Sequence, residues 1–151
     1  MLYIAISFFG CILGYLTGKF TKEELKQSSF YLNILELIIL FILSFYFLYS
    51  SFNLILFFVG LFLGLLFKFE YFYFGAGVVS GQDFLSSALI FVYGMPYWSL
   101  VYYKKKWKTL FYSFILFSMS ALTYLFDYSL LSFAGGGLTG ILLIKIWKIF
   151  H

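Results

Sequence analysis

Long apolar runs, broken only by brief polar or charged stretches, follow one another along the chain. Segments such as Ile34–Phe47 and Leu54–Phe67 are hydrophobic all round rather than on one face, as a helix surrounded by lipid or by other helices must be. Strict alternation, the mark of a barrel strand, is missing from runs such as Leu37–Leu43, so the pattern predicts helices. Six spans near the ~20 residues that cross ~30 Å of hydrocarbon follow. They are Leu2–Gly18, Phe30–Tyr49, Phe52–Phe67, Phe84–Tyr103, Leu110–Phe126 and Ser129–Trp147. The linkers between them are Lys19–Ser29, Ser50–Ser51, Lys68–Asp83, Lys104–Thr109 and Asp127–Tyr128. The expected fold is all-α: a polytopic integral membrane helical bundle of about six transmembrane helices, one domain over residues 1–151, multi-pass in the cell membrane. Met1–Lys19 lacks the basic start and small-residue exit of a signal peptide and reads as the first span.

Composition strengthens this picture. The 151 residues are 64% hydrophobic, 26% aromatic and 11% charged, which leaves too little polar surface to cover a water-facing globule. The net charge of +4 comes entirely from lysines, with no arginine in the chain. Lysines gathered at span ends read as headgroup anchors, and nucleic acid is not an expected partner. A single Cys11 allows neither an internal disulfide nor a cysteine metal cluster, and the lone His151 is the last residue, so no metal and no cofactor are expected. The expected partner is the lipid bilayer, joined by a membrane-inserted precursor protein or by partner helices.

Glycines at four-residue spacing line one face of three spans: Gly10, Gly14 and Gly18 in the first, Gly60 and Gly64 in the third, Gly136 and Gly140 in the sixth. Without Cβ atoms such faces let helix backbones approach closely, within the chain or in a homodimer. Orientation is open. With the amino terminus outside, Lys19, Lys22, Lys26 and Lys68 face the cytoplasm while Lys104, Lys105, Lys106, Lys108, Lys145 and Lys148 do not, and the count mildly favours the inverse. A third arrangement keeps every lysine cytoplasmic by making Tyr71–Tyr103 a re-entrant hairpin broken at Gly94 and Pro96 and covered by protein.

Polar residues inside the spans carry the chemical information. Glu36 lies about two turns into the second span with Asn33 on the same face, either a proton-exchanging site or a structural hydrogen-bonded link. Asp83 follows the glycine-bearing stretch Gly75–Gln82 at the start of a span, where an N-cap and a functional carboxylate are both reasonable readings. Asp127 reads as a solvated turn residue, and Ser113, Ser118, Ser120 and Thr123 as hydroxyls bonded to their own helices.

The order of these features resembles the type IV prepilin and archaeal preflagellin peptidases, membrane aspartic peptidases of the GxGD type. The carrying residues are the charged stretch Lys19–Leu25 after the first span, and Ser80-Gly81-Gln82-Asp83 followed by Phe84–Ile90 and Gly94-Met95-Pro96. The resemblance implies that Asp83 is one catalytic carboxylate and that the end of the first span lies beside it. Ser80 and Gln82 stand at the family's glycine positions and Lys19 at the position of its first aspartate, so the dyad is incomplete. Lys19 would then be the electrostatic neighbour of Asp83, and Glu23, Glu24 or Glu36 the substitute second carboxylate. An aspartic dyad needs two acids sharing one proton. Three functions are open at this point: a prepilin-peptidase-like hydrolase, active or a pseudoenzyme; a small transporter or channel lined by Glu36, Asn33 and Asp83; and a non-catalytic membrane assembly subunit.

Overall fold

The computed structural model describes residues 2–81, 83–104, 107–121 and 130–150. Seven helices occur among them: α1 (Leu2–Phe20), α2 (Lys22–Ser50), α3 (Leu54–Leu66), α4 (Glu70–Gly81), α5 (Phe84–Tyr103), α6 (Trp107–Ala121) and α7 (Leu131–Phe150). Three stretches, Gln27–Ser50, Phe84–Tyr103 and Leu131–Ile149, are long and apolar enough to cross a membrane, fewer than the six spans expected. Ala5–Phe20, Leu54–Leu66 and Phe111–Ser120 are shorter apolar helices. The turn expected at Asp127–Tyr128, and Gln82, Lys105, Lys106, Thr123 and His151, lie outside the described residues.

The stretch Lys68–Asp83, expected as a linker, instead holds α4. A glycine costs about 1 kcal/mol in a helix interior, so Gly75 and Gly77 argue locally against one. Packing reverses the balance. A Cβ on Gly75 would strike Ser120 of α6, and one on Gly77 the ring of Phe47 on α2. The bare backbone of α4 thus lets neighbours close in from two sides, and nearly every residue from Glu70 to Val79 is buried. Gly94 and Pro96, read as the break of a hairpin, lie inside continuous α5, and the chain turns at Asp83 instead.

Two parallel helix pairs are built on the glycine faces. Gly10, Gly14 and Gly18 of α1 meet the backbones of Phe91, Gly94–Met95 and Ser99 on α5, and a Cβ on Gly94 would lie 2.8 Å from the Gly10 carbonyl carbon. Thr17 Oγ1 and Ser99 Oγ join across this seam at 3.0 Å, and Ser99 Oγ also donates to the Gly14 carbonyl at 2.8 Å. Gly60 and Gly64 of α3 likewise abut Phe133 and Gly137 of α7, while Gly136 and Gly140 abut Phe57, Leu61 and Leu65. Helix α2 runs antiparallel to both pairs: Ser44 Oγ meets Thr139 Oγ1 at 2.6 Å on α7, and Tyr46 donates to Asp83 at the head of α5.

Alternation of direction brings every lysine-bearing terminus among the described residues to one end. Lys19 closes α1, Lys22 and Lys26 open α2, Lys68 follows α3, Lys104 caps α5, Lys108 opens α6, and Lys145 and Lys148 lie in the last turns of α7. Asn53 and Asp83, which cap α3 and α5, mark the other end. Beside an apolar core that includes Leu40, Phe47, Phe74 and Leu138, the bundle buries hydroxyls and exposes large apolar side chains. Serines such as Ser7, Ser86, Ser120 and Ser132 are buried, while Ile38, Phe41, Phe45, Ile55, Phe58, Phe62 and Phe111 are exposed.

Backbone contact at the glycine seams sets the cost of filling them. Gly14→Leu and Gly136→Leu are each expected to destabilise the protein by about 3 kcal/mol, the upper part of the usual overpacking range, in thermal unfolding in detergent. Gly81→Ala is the control: its new Cβ would sit 3.4 Å from Leu131 Cδ2, in ordinary contact, and its midpoint should stay near wild type.

Candidate functional site

Four helices converge on the ammonium of Lys145. Its Nζ lies 3.1 Å from Glu36 Oε2 on α2 and 2.8 Å from Glu70 Oε1 on α4, and it donates to Tyr93 OH on α5 at 2.8 Å. Tyr93 OH in turn donates to Glu70 Oε2 at 2.5 Å. The rings of Tyr93 and Tyr97 stack on each other, and Nζ lies 5.3 Å from both centroids, a cation–π arrangement. An ammonium has three hydrogens, and here three acceptors take them.

Both carboxylates are deep. Glu36 and Glu70 are 5% and 6% exposed, so each carboxylate has lost most of its contact with solvent and depends on Lys145 for a counter-charge. The helices fix this geometry. Glu70 is the first residue of α4, Glu36 faces inward from α2, and the α4–α5 contact of Phe74 on Tyr93 holds the phenol between them. Beyond the cluster, the interior continues as Tyr71 OH, which accepts from Cys11 Sγ at 3.3 Å and from Trp98 Nε1.

A cavity of about 410 Å³ reaches the cluster from the lysine-bearing end, between α2, α5, α6 and α7. Asn33, Glu36, Tyr97, Lys104, Thr109, Lys145 and Lys148 line it together with Leu37, Leu100, Val101 and Ile149. Asn33 and Glu36, paired on sequence grounds, thus do share one wall.

The other sequence-derived candidates lie elsewhere. Asp83 caps α5: Oδ1 accepts from the Ser86 amide at 3.0 Å and from the Ser86 hydroxyl, and Oδ2 accepts from Tyr46. Lys19 does not meet it. The residue before it, Gly18, packs on Ser99, about sixteen residues along α5 from Asp83, which is about 24 Å of helix rise. Lys19 and Asp83 therefore stand at opposite ends of the bundle, and no ion pair joins them. Glu36 is about ten residues, or about 15 Å, along α2 from Tyr46, the residue that touches Asp83. Glu23 and Glu24, in the first turn of α2, are farther still and exposed. No second carboxylate stands beside Asp83 among the described residues, and no group of His, Cys, Asp or Glu there has the makings of a metal site.

Glu70 and Lys145 are the charged members of this cluster that the sequence does not single out. Glu70 was hidden in the expected linker, and Lys145 among the anchors. Lys145 sits one turn before Lys148, deeper than an anchor needs to be, and that offset was the available signal. No family model, curated protein or solved structure matches the chain.

Removal of the shared cation should be far worse than removal of one acid. Lys145→Met leaves two buried carboxylates facing each other and is expected to cost about 3 kcal/mol or more in thermal unfolding. Adding Glu70→Gln to Lys145→Met should restore part of that loss. A cycle of these variants with coupling under about 0.5 kcal/mol would mean the contact contributes no energy.

Proposed function

We propose that this chain is a multi-pass membrane protein acting as a small solute carrier, with Glu36, Glu70, Lys145 and Tyr93 as its working centre and the lysine-bearing end in the cytoplasm. The observation that carries the reading is the buried cluster itself, placed at the foot of an open cavity. Ionisable groups inside an apolar bundle are costly and mark ion or substrate paths by default. A purely structural link needs one acid for one base. Here two acids share one ammonium, and the surplus negative charge is what a transferable cation, a proton included, can balance as the centre changes partners.

The membrane part of the proposal is supported by the exposed apolar side chains and by the one-sided lysines, which satisfy the positive-inside rule with the amino terminus outside. Helix α4, 12 residues and about 18 Å long, is too short to cross alone, and its neighbours cover it. An aspartic-peptidase reading would need a second acid beside Asp83, whose carboxylate is instead occupied by Tyr46 and Ser86. An N-cap role accounts for that geometry.

Charge displacement across proteoliposomes on a solid-supported membrane tests the carrier reading. Rapid jumps in inorganic cations, inorganic anions, amino acids and organic acids should give a transient current with at least one class. Glu36→Gln and Glu70→Gln should lower it tenfold or more, while Asp83→Asn keeps most of it. Silence of the folded wild type towards every class, or full currents in both glutamine variants, would refute the proposal.

A further inference from the structure

The cavity wall has charge to spare on the side away from the cluster. Lys145 spends its three hydrogens on Glu36, Glu70 and Tyr93, and Glu36, the one carboxylate in the lining, is held by Lys145. Lys104, at the carboxyl end of α5, and Lys148, one turn beyond Lys145, face the same space; neither is within ion-pair distance of a carboxylate among the described residues, although the Lys104 charge also acts on Glu36 from farther off. Asn33 and Thr109 add an amide and a hydroxyl from α2 and α6.

We infer that this cavity binds a phosphate group, either of a small soluble phosphate monoester or of a lipid headgroup, through Lys104 and Lys148 with Asn33 and Thr109 as neutral donors. Two separate ammonium groups and two neutral donors, coming from four helices, suit a tetrahedral dianion that offers acceptor oxygens in several directions. Lysine serves phosphate as a point charge without a fixed planar geometry, so two ammonium groups on different helices can each meet a different phosphate oxygen. The volume of about 410 Å³ is at the small end of ligand sites, which fits a headgroup or a short ester rather than a nucleotide. The inference rests on the proposed carrier reading for its placement at the cytoplasmic membrane surface, where phosphate headgroups lie, and it goes beyond that reading by adding an anion bound at the cavity wall to the cation balanced at the cluster.

The test is binding to the purified full chain in neutral detergent, followed by thermal unfolding and calorimetric titration. The probes are glycerol 3-phosphate, dihexanoyl phosphatidic acid and, as a phosphate-free control, dihexanoyl glycerol. A phosphate probe should raise the unfolding temperature, because a ligand that binds only the folded state stabilises it. Lys104→Gln with Lys148→Gln should weaken binding tenfold or more while leaving the unliganded midpoint unchanged. Lys68→Gln, at the same end but outside the cavity, should bind as wild type. Stabilisation by both phosphate probes assigns a soluble ester, and by phosphatidic acid alone a headgroup. The inference is overturned if neither phosphate probe binds, if the control binds equally well, or if the double variant keeps wild-type affinity. Charge displacement without phosphate binding would remove this inference and leave the carrier proposal standing; phosphate binding without charge displacement would do the reverse.

Discussion

The Lys145 ammonium, shared by two buried carboxylates and a phenol, is the interaction on which the interior of this bundle depends. Each charge would be prohibitive alone in apolar surroundings, so the three must assemble together, and they arrive on α2, α4 and α7. For α4 this assembly is decisive. Its sequence is rich in glycine, its length is 12 residues, and its first residue is the carboxylate that Lys145 holds. The ion pair thereby fixes how deep α4 sits, and α4 in turn carries the close contacts to Phe47 and Ser120.

Around that centre the glycine seams provide a frame of a different physical kind. The α1–α5 and α3–α7 pairs are held by backbone approach and short hydroxyl bridges, which hold as well in lipid as in a protein interior. Helix α2 joins the two pairs, meeting α5 through Tyr46 and Asp83 and α7 through Ser44 and Thr139. Its buried carboxylate, Glu36, lies towards the other end, at the cavity. The framework thus keeps polar linkage on its seams and concentrates charge at one mouth, a distribution suited to binding at that mouth.

Most of the frame was legible in the sequence, and most of the centre was not. All-round apolar runs located α2, α3, α5 and α7 because helix burial in lipid or protein leaves that signature regardless of partners. Four-residue glycine spacing marked the faces of α1, α3 and α7 that make contact, although α5, the partner of α1, offered only Gly94 as a hint. Helix α4 escaped because local propensity counts glycine against a helix, and the compensating contacts come from Phe47 and Ser120, distant in the chain. Once α4 is missed, Glu70 becomes a linker residue and the lysines split between two faces. Requiring all of them on one face forces an additional crossing between Lys68 and Lys104, and the hairpin arrangement came from that argument with its break placed at Pro96 instead of Asp83. The proposed partnership of Lys19 with Asp83 depended on borrowed layout alone, and α1 packs parallel to α5 so that it carries Lys19 to the far end.

Helix α4 imposes the topology that brings Glu70 to the same end as Lys145. In a Cys11→Ala background, single cysteines at Lys68, Lys104 and Asn53 would be challenged with a membrane-impermeant thiol reagent from each side of oriented vesicles. With α4 carrying the chain back inside the bundle to Asp83 before α5 returns it, positions 68 and 104 label from the cytoplasmic face and position 53 from the opposite face. Labelling of 68 and 104 from opposite faces would contradict the account, because Glu70 and Lys145 would then belong to different ends of the molecule.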